Sequence, residues 1–164
     1  GLIRDSHKER DASFLNCLNL RESPMSDPIA MAEGQKHLTG GCLCGHVKFR
    51  VDGPMREVVA CHCSQCRKQT SHFYASTNAK NSDVTFSETK GLKWFKSSEI
   101  AERGFCQDCG SILFWRRFGG DSISISAGSL DGKTGLKICE HIYVADKPDW
   151  YEITDGIKQY PIWR

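Results

Sequence analysis

The sequence predicts a mainly β domain. Short apolar segments of strand length recur about every 10 to 15 residues, and Gly, Asn, Asp and Pro separate them. Several of these segments alternate apolar and polar residues, as a half-buried strand does. No long helical periodicity intervenes between them.

The strand texture begins at Leu38. Residues 47–51 alternate apolar and polar side chains, and Gly53-Pro54 ends that segment. Residues 58–60 lead into a cluster of cysteines, and residues 112–115 follow another. The remaining strand candidates, which share β-branched or aromatic composition, are residues 73–77, 84–86, 92–95, 123–127 and 138–144.

Residues 1–36 differ from the β domain expected over residues 37–164, since they are polar and charged with few β-branched residues. Ser6 and Glu9 fit a capping box, so we expect a short helix over residues 6–20. Gly1 is typical of a cleaved tag and Met25 of a native start, so residues 2–24 form either an extension or a mis-assigned start.

Composition narrows the class of protein. The 164 residues suit one domain, and a net charge of +2 gives no electrostatic case for nucleic acid or an anionic membrane. No run reaches the roughly 18 apolar residues of a membrane span, so we expect a cytoplasmic protein. The nine cysteines fit metal sites better than a secreted disulfide framework, because most lie two or three residues apart in short clusters.

Two cysteine pairs predict a closed metal site. Cys42 and Cys44 lie between glycines, and Cys106 and Cys109 precede Gly110. Four thiolates make a complete tetrahedral set for structural zinc, which would clamp distant strands together. The alternative is that these are buried, metal-free cysteines.

A third cluster predicts an open metal site. Cys61, Cys63 and Cys66 supply three ligands, which leaves one position of a tetrahedral zinc for water or a substrate thiol. His62 stands between two of these cysteines, so its ring is expected to point away from the metal, although it remains an alternative ligand. Arg67 can offset the thiolate charge or hold a substrate carboxylate, or it is a plain surface arginine.

The chain resembles the glutathione-dependent formaldehyde-activating enzymes, also called S-(hydroxymethyl)glutathione synthases. The segments that carry the resemblance lie between about residues 39 and 156: GGCLCGHVKF, CHCSQCRK, FCQDCGSILFW, ISAGSLD and HIYVADKPDWYEITDG. The resemblance implies an Mss4-like β-tent of small antiparallel sheets held by zinc. It implies two zinc ions per chain, a structural one on the four paired cysteines and a second on Cys61, Cys63 and Cys66 whose vacant position takes the glutathione thiol.

The function implied is that of a carbon–sulfur lyase-type enzyme. Its three-cysteine centre would promote the addition of glutathione, or another small thiol, to formaldehyde or another small aldehyde. Two alternatives of other classes are a thiol carrier without catalysis and a structural zinc module for protein interaction. His72 and Tyr74 replace the family's small residues after the second cluster, which leaves the substrate and a polar contact from His72 open. His141 is either a core histidine or a partner of the second site, and a homodimer is left open.

Overall fold

The computed structural model describes residues 37–163. The proposed N-terminal extension, with its predicted helix over residues 6–20, lies outside this range. Within residues 37–163 no helix is long and apolar enough to cross a membrane.

Residues 37–163 form eleven β-strands, one α-helix and three single-turn 3₁₀ segments. The strands are β1 (Leu38–Gly41), β2 (Lys48–Val51), β3 (Val58–Cys61), β4 (Tyr74–Lys80), β5 (Val84–Glu88), β6 (Leu92–Lys96), β7 (Ala101–Cys106), β8 (Ile112–Arg117), β9 (Ser122–Ser126), β10 (Ile138–Ile142) and β11 (Lys158–Gln159). The helix α1 spans Ser64–Thr70. The prediction of a mainly β fold is confirmed.

The strands form two sheets. The smaller sheet is antiparallel, with the order β1-β2-β5. The larger sheet has eight strands in the order β11-β10-β3-β4-β9-β8-β7-β6. Most of its pairs are antiparallel, but β10 runs parallel to both β3 and β11. These parallel pairs were not predicted, because a strand pattern in sequence does not encode the direction of its neighbour.

The main core lies between the two sheets. Phe49 and Phe86 of the small sheet both meet Phe114 of the large sheet, with ring centroids 5.1 Å and 5.5 Å away. Phe49 and Phe114 are almost fully buried, and burial of each such side chain contributes about 1.5–3 kcal/mol. Cys106 belongs to the same buried cluster, so one of the predicted metal ligands lies in the core.

Two elements next to the cysteines were not predicted. β7 contains Glu102, Arg103 and Gly104, which have low strand propensity, but it is hydrogen-bonded on both sides by β6 and β8. Gly104 belongs there because a Cβ at that position would meet Phe114 at 2.9 Å. The helix α1 has only seven residues, too few to show a helical periodicity.

The last predicted strand, residues 138–144, ends two residues early. β10 stops at Ile142 because Tyr143 adopts a left-handed conformation, with φ of 56°, and a 3₁₀ turn follows. The register of β10 shifts by a β-bulge between Ile138 and Glu140, and Cys139 at this bulge is half-buried.

Candidate metal centres

The two cysteine pairs meet at the junction of the two sheets. Cys42 and Cys44 lie in the connection after β1, whereas Cys106 ends β7 and Cys109 lies in the turn before β8. Gly45 and Gly110 close these two turns with φ of +81° and +74°, values that favour glycine. Metal binding here would therefore tie the small sheet to the large one.

The sulfur geometry fits a tetrahedral ion. The four sulfurs of this four-cysteine centre all lie within 4.8 Å of one another. The Sγ of Cys44 is 3.6 Å from that of Cys42 and 3.7 Å from that of Cys106. Tetrahedral zinc with Zn–S bonds of about 2.3 Å requires sulfurs about 3.8 Å apart. The residues present therefore fit zinc without rearrangement.

Neighbouring donors stabilise thiolates at this centre. The backbone N–H of Val47 donates to the Sγ of Cys42 at 3.2 Å. Hydrogen bonds from the Ser111 hydroxyl and backbone lower the pKa of Cys109 to about 5. Asp108 accepts a 2.7 Å hydrogen bond from His46 and lies with it beside Cys44. Because Cys44 already completes the four-cysteine centre, this pair borders that site rather than forming another.

The three remaining clustered cysteines converge where β3 passes into α1. Cys61 ends β3, Cys63 is the N-cap of α1, and Cys66 is the buried residue of its first turn. Their sulfurs lie within 4.8 Å of one another, and neither His62 nor His72 joins the group. Thiolate sulfurs are zinc ligands, and three of them leave a tetrahedral ion one position short. We refer to this group as the three-cysteine centre.

At the three-cysteine centre one sulfur, that of Cys63, is stabilised as a thiolate. Hydrogen bonds from the Cys61 and Cys66 thiols, with the Cys66 backbone and Arg103 adding to them, hold the pKa of Cys63 far below its usual range. The Cys66 N–H donates to the Sγ of Cys63 at 3.4 Å, as an N-cap contact. A thiolate is the form that binds a metal, so Cys63 is ready for one, whereas the pKa values of Cys61 and Cys66 are raised and these two thiols would release their protons as a metal binds.

Arg67 follows the three-cysteine centre on α1. Its backbone N–H donates to the Cys63 carbonyl at 2.9 Å, which places it in the first helical turn. Its side chain is half-buried, and its Nε is buried without a hydrogen-bond partner among the described residues. A guanidinium nitrogen in this state can still donate to a bound anion.

Two buried histidines and one carboxylate form a hydrogen-bonded row. The sequence alone left the role of His141 in it open. His62 Nε2 lies 2.8 Å from His141 Nδ1, and His141 Nε2 lies 2.9 Å from Asp155 Oδ2. Burial, together with His141, lowers the pKa of His62 to about 4, so its ring is neutral at pH 7. The Asp155 carboxylate accepts from His141 Nε2, and a neutral His141 ring with this tautomer accepts at Nδ1 from His62 Nε2. His62 is thereby directed to His141, and His141 is both a core residue and a partner of this segment.

Aromatic rings surround the second histidine of this region. His72 contacts the rings of Phe73 and Tyr151, with centroids 4.4 Å and 4.3 Å away, and Trp150 at 5.5 Å. Trp150 is 66% exposed, so it forms an outer rim. The bulk of Tyr74, by contrast, is fully buried at the start of β4. Of the two departures from the expected small residues, His72 lies next to an exposed aromatic side chain, that of Trp150, whereas Tyr74 is buried.

Arg103 and Asp155 were missed by the sequence reasoning. The Arg103 Nη2 lies 3.6 Å from the Sγ of Cys66, although 37 residues separate them in the chain. Residues 101–106 read AERGFC, so nothing local distinguished Arg103 from its charged neighbour Glu102. The one available signal was general, because a cluster of thiolates favours a nearby cation. Asp155 gave no comparable signal, because only folding brings it to His141.

The fold and the two sulfur centres define a mainly β protein with two cysteine clusters that could hold metal ions. The chain belongs to the glutathione-dependent formaldehyde-activating enzyme family, whose model matches residues 37–146. This match includes all seven clustered cysteines and ends before Asp155.

Similar proteins agree with this placement. The chain is 29% identical over 127 residues to an uncharacterized lyase of Schizosaccharomyces pombe, covering 75% of this chain and 90% of that protein. It is 28% identical over 137 residues to a Halomonas elongata protein that bears the name of a glutathione-dependent formaldehyde-activating enzyme, covering 71% and 80% of the two chains. A crystal structure of a Rhodobacter sphaeroides protein has a TM-score of 0.51 at 18% identity and covers 74% of this chain and 98% of that one, which shows the shared fold.

Proposed function

We propose that the protein promotes the addition of glutathione to formaldehyde at the three-cysteine centre. The observation that carries this proposal is the convergence of three sulfurs, Cys61, Cys63 and Cys66, with no fourth ligand among residues 37–163, while the four-cysteine centre has a complete set. Family membership supports the identities of the thiol and the aldehyde. The reverse reaction cleaves a carbon–sulfur bond, which is a lyase step.

The reaction requires no redox partner. The glutathione sulfur forms a bond to the formaldehyde carbon, the carbonyl electron pair moves to oxygen, and that oxygen takes up a proton. The thiol proton released to solvent balances it, so the product is S-hydroxymethylglutathione. Zinc at the three-cysteine centre, when bound, supplies the charge that keeps a thiol deprotonated near neutral pH.

The chain's own residues have separate roles in this proposal. Cys61, Cys63 and Cys66 hold the metal, and the sulfurs of Cys42, Cys44, Cys106 and Cys109 hold a structural zinc, giving two per chain. Arg67 binds a glutathione carboxylate, because its half-buried side chain keeps an unpaired donor beside the third cysteine. We place the activity in the cytoplasm, where thiols stay reduced.

Exchange NMR tests the catalytic claim. At equilibrium, the wild type should raise the rate at which glutathione and S-hydroxymethylglutathione interconvert above the buffer rate. Cys66→Ser should return the rate to that of buffer, and Cys139→Ser, which alters a cysteine outside both centres, should retain the wild-type rate.

Two outcomes would overturn the proposal in different ways. Glutathione binding with an exchange rate equal to buffer would replace the enzyme with a thiol carrier. The absence of both binding and acceleration would point to another substrate, with His72 and its aromatic neighbours as the place to search.

A further inference from the structure

A buried arginine lies against the three-cysteine centre. The Arg103 side chain belongs to β7 and only 6% of the residue is exposed. Its Nη2 contacts the Sγ of Cys66 at 3.6 Å, whereas the Nε of Arg67, the cation next to the cluster in sequence, has no hydrogen-bond partner among residues 37–163. A cation in contact with the cluster thus comes from a distant strand, 37 residues along the chain from Cys66.

Two glutamines of α1 hold this guanidinium in place. Arg103 Nη1 donates to Gln69 Oε1 at 3.1 Å, and Nη2 donates to Gln65 Oε1 at 3.4 Å. Gln65 is itself fixed, because its Nε2 donates to the Ser97 carbonyl at 3.2 Å. Neutral amides orient the guanidinium without cancelling its charge.

The ion pairs formed by residues 37–163 do not include Arg103. A guanidinium cannot lose its proton in a protein, and a buried charge is costly unless an opposite charge compensates it. With a metal bound at the three-cysteine centre the Cys66 sulfur is a thiolate, and this is the sulfur that Arg103 contacts at 3.6 Å. The charge of Arg103 is therefore directed at the three-cysteine centre.

The contact with Arg103 changes the net charge of the three-cysteine centre when a metal is bound. A divalent ion with three thiolates carries a net charge of −1, and a fourth thiolate would raise it to −2 in a partly buried site. With Arg103 beside it, the same assembly changes from neutral to −1. An adjacent cation lowers the electrostatic cost of admitting another anion.

We propose that Arg103 is a positioning residue that selects an anionic fourth ligand at the three-cysteine centre. This inference rests on the proposed function, because it requires an open position for a thiol. Arg103 favours binding of the ligand's thiolate at the metal, whereas Arg67 binds a carboxylate of the ligand.

The test compares an anionic with a neutral ligand in the cobalt-loaded protein. The probes are 2-mercaptoethanol, which binds as a thiolate and has no carboxylate, and imidazole, which binds uncharged. Arg103→Met should weaken mercaptoethanol binding about ten- to a hundredfold and change imidazole binding by less than about threefold, as read from the cobalt absorption spectrum. Arg117→Met is the matched control, because it removes an exposed arginine from the next strand and should alter neither.

A second variant guards against misfolding of Arg103→Met. Replacing Gln65 and Gln69 together by methionine, on the surface helix, keeps the charge but frees the guanidinium. It should weaken mercaptoethanol binding by about three- to tenfold with imidazole binding retained.

The outcomes separate this inference from the proposed function. Equal losses for both ligands, or no loss for either, would overturn the role of Arg103 even if glutathione binds. If the wild type binds mercaptoethanol but not glutathione, the proposed function fails while Arg103 retains its role. If the wild type binds none of these ligands, the centre is closed and both proposals are wrong.

Discussion

At the scale of the residue, Arg67 carries the most direct prediction. Arg67→Ala should weaken glutathione binding by about ten- to a hundredfold, because a charge-assisted contact shielded from water contributes roughly 1.5–3 kcal/mol. Isothermal titration calorimetry measures the affinity, and metal analysis should show unchanged zinc. Lys68→Ala is the control, since that side chain is exposed on the same helix and should cause a much smaller loss. Equal losses of glutathione affinity in both variants would instead indicate that the overall positive charge of α1, and not a contact with Arg67, attracts the ligand.

The His62–His141 contact gives a second residue-scale prediction. Both rings are buried, so His141→Leu should lower the free energy of unfolding by about 1–3 kcal/mol, because it leaves His62 Nε2 without a partner. His62→Leu alone should have a similar effect for the same reason. Urea unfolding of the zinc-loaded protein measures both variants.

The double variant isolates the contact itself. His62→Leu with His141→Leu should cost less than the sum of the single changes, by about 1 kcal/mol, since no unpaired polar ring remains. Strict additivity would show that the 2.8 Å contact contributes nothing to stability.

At the scale of the element, the two sulfur centres should differ in how much they stabilise the fold. Cys106→Ala should lower the free energy of unfolding by about 3 kcal/mol or more, because the four-cysteine centre joins elements of both sheets. Cys63→Ala should leave most of this stability and abolish thiol binding, because its centre joins β3 only to the adjacent α1. Thermal melts and thiol titrations of both variants measure the difference. The reverse ranking would show that the structural and open sites are assigned backwards.

Gly91, just before β6, gives a second element-scale prediction. A Cβ there would meet the Sγ of Cys106 at 2.7 Å and the Cβ of His46 at 3.0 Å. Gly91→Ala should therefore displace a sulfur of the four-cysteine centre and destabilise the fold by about 1–3 kcal/mol. Gly128→Ala is the control, because its Cβ would have no heavy atom within 4 Å. Faster zinc release to a chelator in Gly91→Ala alone would support the close packing of β6 on this centre.

At the scale of the whole molecule, metal content is the decisive quantity. Freshly purified protein should contain about two zinc ions per chain, or one if the three-cysteine centre releases its ion readily. Chelation should act in two stages, with loss of thiol binding first and unfolding second, because the four-cysteine centre joins elements of both sheets and the three-cysteine centre does not. Metal analysis with circular dichroism at each stage measures this. A folded, metal-free protein with every thiol free to react would contradict both sites.

Sequence alone determined the fold class and the cysteine groups. Alternation in residues 47–51 and 123–127 predicts strands because local side-chain pattern reports burial on one face. The spacing of Cys61, Cys63 and Cys66 predicts a shared centre because a short turn brings such neighbours together. The strand β7 was not predicted, because Arg103 and Gly104 have poor strand propensity. Pairing of β7 with β6 and β8 on its two sides keeps these residues extended.

Only the tertiary structure decided which distant residues complete the centres. Arg103 contacts Cys66 because its side chain extends from β7 to α1. Asp155 contacts His141 because it lies in the connection between β10 and β11, which are neighbouring parallel strands. Neither contact leaves a local pattern, since each joins segments whose separation along the chain does not encode their distance in space. The residue types of the sites are thus a property of sequence, whereas the charge and hydrogen bonding around them are properties of the fold.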